Sequence, residues 1–265
     1  MAVMAGEGNR VASPVITSPA IVTPRFDDGP AKARIGLLTF ETDIVLERDF
    51  EMMLPPGGEI AFYTARLANA DEVTADNLVA LTAGLGDAAR RIGRGSRLDV
   101  VAFGCTSATI LVGIDEITRR VQAGRPGVTV VTPISAVLKA MRRLGMARTA
   151  LLTPYGHELH NTLVQYLREQ GVIVSASATY DLLTDEAMGR VSPAALLEDA
   201  ARLDLREADG IFISCTSLRA AEIAEALEAR VGRPVVTSTQ AFVWDAFRSA
   251  GYAKPISGFG RLLTV

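Results

Sequence analysis

Two nearly identical segments decide the fold of this chain: VVAFGCTSA at residues 100–108 and GIFISCTSL at residues 210–218. Each is an apolar run of strand length, followed by a cysteine and a Thr-Ser pair that opens a helical pattern. They contain the only two cysteines of the 265 residues, Cys105 and Cys215. The repetition predicts an internal duplication in which each half of the chain places one thiol after a buried strand.

The position after a buried strand has consequences for a thiol. A helix N-terminus carries unsatisfied N–H groups and partial positive charge, and both lower the pKa of a nearby thiol. We therefore expect two reactive thiols that face one substrate. A single buried cysteine is more often an inert apolar residue, and that alternative stands beside the catalytic one.

Composition restricts the possible classes of function. A length of 265 residues suits one large or two small α/β domains. The net charge of -3 and the isoelectric point near 5.5 disfavour a surface for nucleic acid or anionic membrane. The sequence has neither an apolar run long enough to span a membrane nor an apolar signal-peptide core in residues 1–10. We expect a cytoplasmic protein with reduced cysteines.

Cofactor and metal motifs are also missing from the sequence. The only histidines, His157 and His160, belong to one short stretch, and no CxxC pair accompanies them. Neither a GxxxxGK[ST] phosphate loop nor a G-x-S-x-G nucleophile elbow occurs after a strand pattern. We therefore expect no metal and no cofactor.

Strands that are apolar throughout alternate with helical patterns from residue 34 onwards. This rhythm is typical of parallel sheets that are covered on both faces. The predicted fold class is α/β, with two pseudo-symmetric doubly wound parallel-sheet domains and the active site in the cleft between them. The predicted strands lie near residues 35–39, 60–66, 98–103, 128–131, 148–152, 172–178, 210–214 and 234–237, and the predicted helices near residues 44–54, 74–92, 107–122, 134–144, 157–170, 193–203, 220–231 and 240–250.

The chain is predicted to have three parts. Residues 1–33 are rich in proline and small polar residues, which predicts an extended or disordered arm. Residues 34–132 form the first α/β domain, which the C-terminal segment 239–265 completes. Residues 133–238 form the second α/β domain.

These features resemble the aspartate/glutamate racemase superfamily, in the branch of maleate cis-trans isomerase, arylmalonate decarboxylase and the ectoine-utilisation racemase-like proteins. The resemblance covers residues 34–251. It implies a cofactor-independent reaction at a carbon next to a carboxylate, in a homodimer or higher homo-oligomer. The motifs that carry it are RIG at 34–36, FGCTS at 103–107, LTPY at 152–155, GRVSP at 189–193, SCTS at 214–217 and TSTQA at 237–241.

The resemblance also implies roles for individual residues. Cys105 would be the nucleophile or first base and Cys215 its partner acid; because the decarboxylase branch keeps only the second cysteine, Cys105 argues against decarboxylation. Tyr155 would hydrogen-bond the substrate carboxylate, with an ordinary half-buried loop tyrosine as the alternative. The carboxylate and an enediolate-like transition state would be held by the hydroxyl and N–H groups of the two Thr-Ser pairs, which are Thr106, Ser107, Thr216 and Ser217.

Two positions depart from the pattern of the maleate isomerases. Asp43 stands where those enzymes carry a ligand-binding asparagine, and Asp185 falls on a second such position, counted back from Gly189. Two carboxylates would repel a dianion such as maleate and attract a cation. An N-terminal helix cap is an equal alternative for Asp43, since aspartate is a preferred capping residue.

The sequence therefore predicts a cofactor-independent racemase or isomerase that uses two cysteines on a small, amino-bearing acid. A Thr-Asp pair at residues 42–43 and the stretch ERDF at residues 47–50 resemble the ectoine-utilisation branch, so breakdown of ectoine or hydroxyectoine is the expected setting. Maleate isomerisation and non-catalytic binding of a small ligand are the alternatives. The expected partners are a small carboxylate-bearing substrate and further copies of the chain, with neither nucleic acid nor a membrane.

Overall fold

The computed structural model describes residues 23–27 and 29–265, so most of the predicted arm lies outside the described residues. Two four-stranded sheets form the framework, and every strand pair within them is parallel. The first sheet contains β1 (Ala33–Phe40), β2 (Ile60–Leu67), β3 (Val100–Phe103) and β4 (Thr129–Val131), and the second contains β5 (Arg148–Tyr155), β6 (Ile173–Leu182), β7 (Gly210–Ile213) and β8 (Val235–Thr237).

The two sheets have the same strand order. It is β2-β1-β3-β4 in the first sheet and β6-β5-β7-β8 in the second, which confirms the predicted α/β fold with two similar halves. The helices between the strands are α1 (Leu46–Met52), α2 (Ala75–Leu81), α3 (Leu85–Arg91), α4 (Thr106–Val112), α5 (Ile114–Gly124), α6 (Pro133–Leu144), α7 (His157–Glu169), α8 (Asp185–Gly189), α9 (Pro193–Ala201), α10 (Ala224–Val231) and α11 (Ser238–Ser249).

Three helices differ from the sequence prediction. The helix predicted over residues 74–92 is divided by a 3₁₀ turn at Thr82–Gly84. The helix predicted over residues 107–122 is interrupted at Gly113, whose φ of 90° lies in a region that glycine adopts without strain. The short helix α8 was not predicted, because five residues are too few to show a helical period.

Helix α11 lies at the centre of the molecule. Its first ten residues, Ser238–Phe247, are all buried, and the helix contacts α1, α6 and strands of both sheets. Phe50 of α1 packs edge-to-face on Phe242 and Phe247, with ring centroids 6.4 and 5.5 Å apart. The N-terminus of α11 is thereby held in a fixed place between the two sheets.

The carboxyl ends of the central strands point towards one another. β1 and β3 end at Phe40 and Phe103, and β5 and β7 end at Tyr155 and Ile213. In a doubly wound sheet the connections leave in opposite directions between the two central strands, so a crevice opens at their carboxyl ends. The two halves place these crevices against each other. No helix in the described part of the chain is long and apolar enough to cross a membrane.

Candidate active site

One cavity occupies the crevice between the two sheets. The space between its walls is about 430 Å³, which includes the open solvent at its mouth. Its wall contains all but one of the residues predicted from the sequence. These are Cys105, Thr106, Ser107, Tyr155, Asp185, Cys215, Thr216 and Ser217.

Cys105 is presented by the N-terminus of a helix, as predicted. It follows β3 with an extended backbone and forms the N-cap of α4, where its Sγ accepts a hydrogen bond from Ala108 N at 3.3 Å. The thiol therefore occupies the place where serine or threonine ordinarily caps a helix.

Cys215 is presented in a different way, and the prediction that its Thr-Ser pair opens a helix is wrong. Residues 216–220 form an irregular turn, and the next helical residues begin at Ala221. Cys215 itself has a φ of 98°, a conformation that costs a non-glycine residue of order 1–3 kcal/mol. Its N–H donates to Ser238 Oγ at 3.1 Å, and its Sγ accepts from Ser217 N at 3.3 Å.

The two cysteine segments are joined by side-chain hydrogen bonds. Thr216 Oγ1 donates to the carbonyl oxygen of Gly104 at 3.0 Å, and Thr106 Oγ1 donates to Ser238 Oγ at 3.1 Å. Ser238 thus contacts both segments, because it also receives the Cys215 N–H. A side chain at residue 104 would overlap the end of the Leu46 side chain, so a residue larger than glycine would require Leu46 to move.

Burial controls the ionisation of the two thiols. Burial and, to a smaller extent, the charge of Asp185 together raise the pKa of Cys105 above its ordinary range and the pKa of Cys215 to about 12. The expectation of lowered thiol pKa values is therefore wrong for the free cavity, since desolvation exceeds the effect of the nearby N–H groups. Both thiols are neutral until a bound group changes their surroundings.

Tyr155 closes β5 and lies against the second cysteine segment. Its hydroxyl is 3.3 Å from Ser214 Oγ, and only 2% of the residue is exposed. Burial raises the pKa of Tyr155 well above its ordinary value. The phenol therefore stays protonated and can donate a hydrogen bond.

Asp185 brings a carboxylate into the same cavity. Its two oxygens accept hydrogen bonds from Thr42 Oγ1 at 2.5 Å and from Ser217 Oγ at 2.7 Å. The residue is 6% exposed. None of the described residues that line the cavity is lysine, arginine or histidine. The carboxylate thus has hydroxyl partners and no cation beside it in the cavity wall.

Asp43 is the one predicted site residue that does not line the cavity. Its Oδ1 accepts from the N–H groups of Val45 and Leu46 at 2.8 and 2.9 Å, and its Oδ2 accepts from Thr39 Oγ1 at 3.1 Å. These contacts are like those of a helix cap, but they lie in the turn that leads into α1, whose N-cap is Val45. Burial raises the pKa of Asp43 above its ordinary value. The structure brings Asp43 near the site, behind its wall.

The β2–α2 loop, residues 68–74, lines the cavity, and its part in the site was not predicted from the sequence. Val73 N donates to Leu183 O at 2.8 Å, and Glu72 forms an antiparallel bridge with Thr184, so the loop of the first half reaches the second half. Asn69 of this loop lines the cavity. The sequence could have indicated Asn69 by its position two residues beyond the carboxyl end of β2, because ligand-binding residues of this fold class lie at the carboxyl ends of strands.

The histidines do not belong to the cavity. His160 is buried between Thr153 Oγ1 and Ser177 Oγ, at 2.9 and 3.1 Å, and burial lowers its pKa. It is a hydrogen-bonded core residue. Within residues 23–27 and 29–265, no group of three or more His, Cys, Asp or Glu side chains is placed to hold a metal ion.

A second buried carboxylate, Asp49 of α1, lies close to Asp43 but outside the cavity wall. It is 1% exposed, and only its Oδ1 has a hydrogen-bond partner among the described residues, Arg48 Nη1 at 3.1 Å. Burial raises the pKa of Asp49 to about 7.

This raised pKa predicts that stability falls as the pH rises. The unfolded chain releases the Asp49 proton near its ordinary pKa of 3.8, whereas the folded chain keeps it until about pH 7. The free energy of unfolding should therefore decrease between about pH 4 and pH 7 and then level off. Relative to an Asp49→Asn variant, which lacks this proton, the loss should reach on the order of 4 kcal/mol.

Urea unfolding of both chains between pH 4 and pH 9 measures this difference. Replacing the exposed Asp71 by asparagine serves as the control and should leave the slope unchanged. Parallel pH profiles of the wild-type chain and Asp49→Asn would show that Asp49 is ionised in the folded state at all of these pH values.

The fold and the cavity together define the class of protein. Two similar parallel sheets, each followed at the equivalent strand by a Cys-Thr-Ser segment, make this chain a member of the aspartate/glutamate racemase superfamily in its maleate isomerase-like branch. The chain belongs to the arylmalonate decarboxylase family, whose sequence profile matches residues 56–263.

Similar proteins carry two different activities in their names. Arylmalonate decarboxylase from Bordetella bronchiseptica is 36% identical over 139 residues, which are 51% of this chain and 58% of that protein. Maleate isomerase from Nocardia farcinica (strain IFM 10152) is 25% identical over 240 residues, covering 87% of this chain and 95% of the relative. The crystal structure of the Gly74Cys-Cys188Ser mutant of arylmalonate decarboxylase in the liganded form superimposes with a TM-score of 0.77 at 29% identity, covering 87% of this chain and 98% of the other.

Proposed function

We propose that this chain is a cofactor-independent racemase or isomerase that uses Cys105 and Cys215 on a small acid carrying a positively charged nitrogen. One observation supports this most strongly: both thiols and the Asp185 carboxylate line the same cavity. No described lining residue is a cation that could neutralise the carboxylate. A substrate that brings its own positive charge would do so.

The carboxylate of the substrate would bind at the two Cys-Thr-Ser segments. Ser107 lines the cavity, and Tyr155 adds a phenol that remains protonated. Thr106 and Thr216 already donate their hydroxyl protons to Ser238 and Gly104, so these two residues would contribute only backbone N–H groups. Donors of this kind stabilise the negative charge that develops on a carboxylate when the neighbouring carbon loses a proton. Such preorganised stabilisation is usually the largest single contribution to catalysis.

The substrate nitrogen would also activate the thiols. Asp185 raises the pKa of both cysteines while its charge is unopposed. A bound ammonium or amidinium group beside Asp185 offsets that charge and favours a thiolate. Cys105 would then take the proton from the carbon next to the carboxylate, and the Cys215 thiol would return one to the opposite face of the same carbon.

Maleate isomerisation is the second candidate, because several relatives carry that name. In that reaction a thiolate would add to the double bond, the central bond would rotate, and the thiolate would leave again. A dianion in this cavity would face the Asp185 carboxylate with no cation beside it, which is unfavourable at low dielectric. A cationic substrate therefore fits the cavity better. A cytoplasmic homo-oligomer in ectoine or hydroxyectoine breakdown remains the proposed setting.

Deuterium exchange tests the proposed function. In D₂O, the wild-type chain should introduce deuterium at the carbon next to the carboxylate of its substrate, and NMR of a panel of small 2-amino acids and cyclic amidines detects this directly. Non-catalytic binding would give chemical-shift changes without exchange. Conversion of maleate to fumarate, with no exchange in the panel, would favour the second candidate instead.

A further inference from the structure

Asn69 lines the cavity but takes no part in the proposed proton transfers. The residue lies in the β2–α2 loop, is half-buried, and lines the cavity together with Asp185 and the two cysteines. Its amide nitrogen donates two hydrogen bonds, to Thr42 Oγ1 at 2.8 Å and to Ala70 O at 2.9 Å.

These partners fix which atom of the amide is the oxygen. Ala70 O is a carbonyl and can only accept, so the atom facing it must be the nitrogen. The Thr42 hydroxyl gives its single proton to Asp185 Oδ2, so towards Asn69 it also acts as an acceptor. The result is a chain of donors that runs from Asn69 through Thr42 to Asp185.

The remaining atom, Asn69 Oδ1, is an unsatisfied acceptor. It is buried and accepts no hydrogen bond from any residue that the structure describes. Leaving a buried acceptor unpaired is unfavourable, so such atoms are rare and call for an explanation. The other two unpaired buried side-chain atoms of the described chain belong to Asp49 and Arg148, which do not line this cavity. Asn69 lines the cavity, so a donor on a bound ligand would satisfy this oxygen.

We propose that Asn69 is a specificity-determining residue, whose Oδ1 accepts an N–H hydrogen bond from the positively charged nitrogen of the substrate. This inference rests on the proposed function, which places that nitrogen beside Asp185. Asp185 would supply the opposite charge, and Asn69 would supply a neutral acceptor joined to it through Thr42.

Asp185 and Asn69 together would select substrates by their N–H groups rather than by their size. A substrate with an ammonium or amidinium group satisfies both acceptors at once. A methyl group of the same shape leaves them unpaired, and a second carboxylate meets acceptors only. Sites built to hydrogen-bond a substrate group reject analogues that lack it far better than apolar sites reject a missing methylene.

Isosteric ligand pairs test this inference by calorimetric titration of the full chain. Alanine and isobutyrate differ by an ammonium in place of a methyl group, and 2-aminobutyrate and 2-methylbutyrate form a longer pair. The wild-type chain should bind the amine of each pair more tightly. Asn69→Leu should reduce this preference about tenfold or more, as expected for the loss of a hydrogen bond to a charged group.

The ratio of the two affinities within each ligand pair separates a specific effect of Asn69 from a general loss of structure. Retained binding of isobutyrate shows that Asn69→Leu is folded, and Asn69→Ala repeats the test with a smaller side chain. An unchanged preference, or an equal loss for both members of a pair in both variants, would refute the role of Asn69 and leave the proposed function intact. No preference for the amine in the wild-type chain would refute the cationic substrate, and the inference with it.

Discussion

Replacing Cys105 or Cys215 by serine is expected to lower kcat by about 10³-fold or more. Each thiol is assigned one proton transfer, and a positioned acid or base contributes about 10²–10⁴-fold to such a step. Serine is almost isosteric, but its hydroxyl is a much weaker acid and its alkoxide is inaccessible at neutral pH. The loss should be measured on the substrate that the exchange experiment identifies.

The two variants should differ in a way that assigns their roles. If each cysteine serves one face of the substrate, each serine variant should lose deuterium exchange from one enantiomer more strongly than from the other. The double variant should be little worse than either single variant for complete turnover, because residues that act as a unit are not additive.

The folded state should survive both substitutions. Serine is a favoured N-cap, so Cys105→Ser keeps the cap of α4. Circular dichroism and thermal unfolding provide the check. Full activity in both single variants would rule out the two-cysteine mechanism.

Replacing Asp185 by asparagine should reverse the charge preference of the cavity. For a cationic substrate, kcat/KM is expected to fall by about 10²-fold, since opposite charges near 4 Å attract by several kcal/mol at intermediate dielectric and only part of this is offset by solvation. Binding of maleate should become tighter in the same variant. Asparagine retains an oxygen that can accept from Ser217 or Thr42, so the local hydrogen bonds are largely preserved.

Asp43→Asn is the matched control for this change. It makes the same change from carboxyl to amide at a buried position nearby, but Asp43 accepts hydrogen bonds from the turn before α1 and does not line the cavity. Asparagine caps helices as well as aspartate does, so stability should change little. Titration with maleate and with the cationic substrate should show a much smaller effect than in Asp185→Asn. Equal effects in the two variants would mean that the overall charge, rather than contact with Asp185, sets the preference.

The central features of the fold and the site could be predicted because they repeat. Two apolar strands that end in Cys-Thr-Ser predict two similar halves, and the carboxyl ends of parallel strands bring both cysteines to one cavity. The position of Asp185 in the cavity wall was predicted by counting back from Gly189 in the GRVSP motif. These predictions depend on local order along the chain, which sequence patterns report directly.

The remaining features depend on contacts between distant segments. Identical Cys-Thr-Ser sequences are followed by a helix at Cys105 and by a turn at Cys215, where the backbone N–H donates to Ser238 of α11. The thiol pKa values rise because the closed cavity removes water, which no local motif reports. Asn69 is a single polar residue in a loop, and only its unpaired oxygen marks it.

The hydrogen bonds around Ser238 have a consequence for motion. They attach the Cys105 and Cys215 segments, which meet at the inner end of the cavity, to the buried helix α11. The β2–α2 loop over the cavity is held differently, by the Val73–Leu183 backbone hydrogen bond, the Glu72–Thr184 bridge and the Asn69–Thr42 hydrogen bond. Moving this loop therefore disrupts fewer contacts than separating the two sheets, which share the buried helix α11. A displacement of residues 68–74 would open the cavity to a ligand and leave the hydrogen bonds between the Cys105 and Cys215 segments in place.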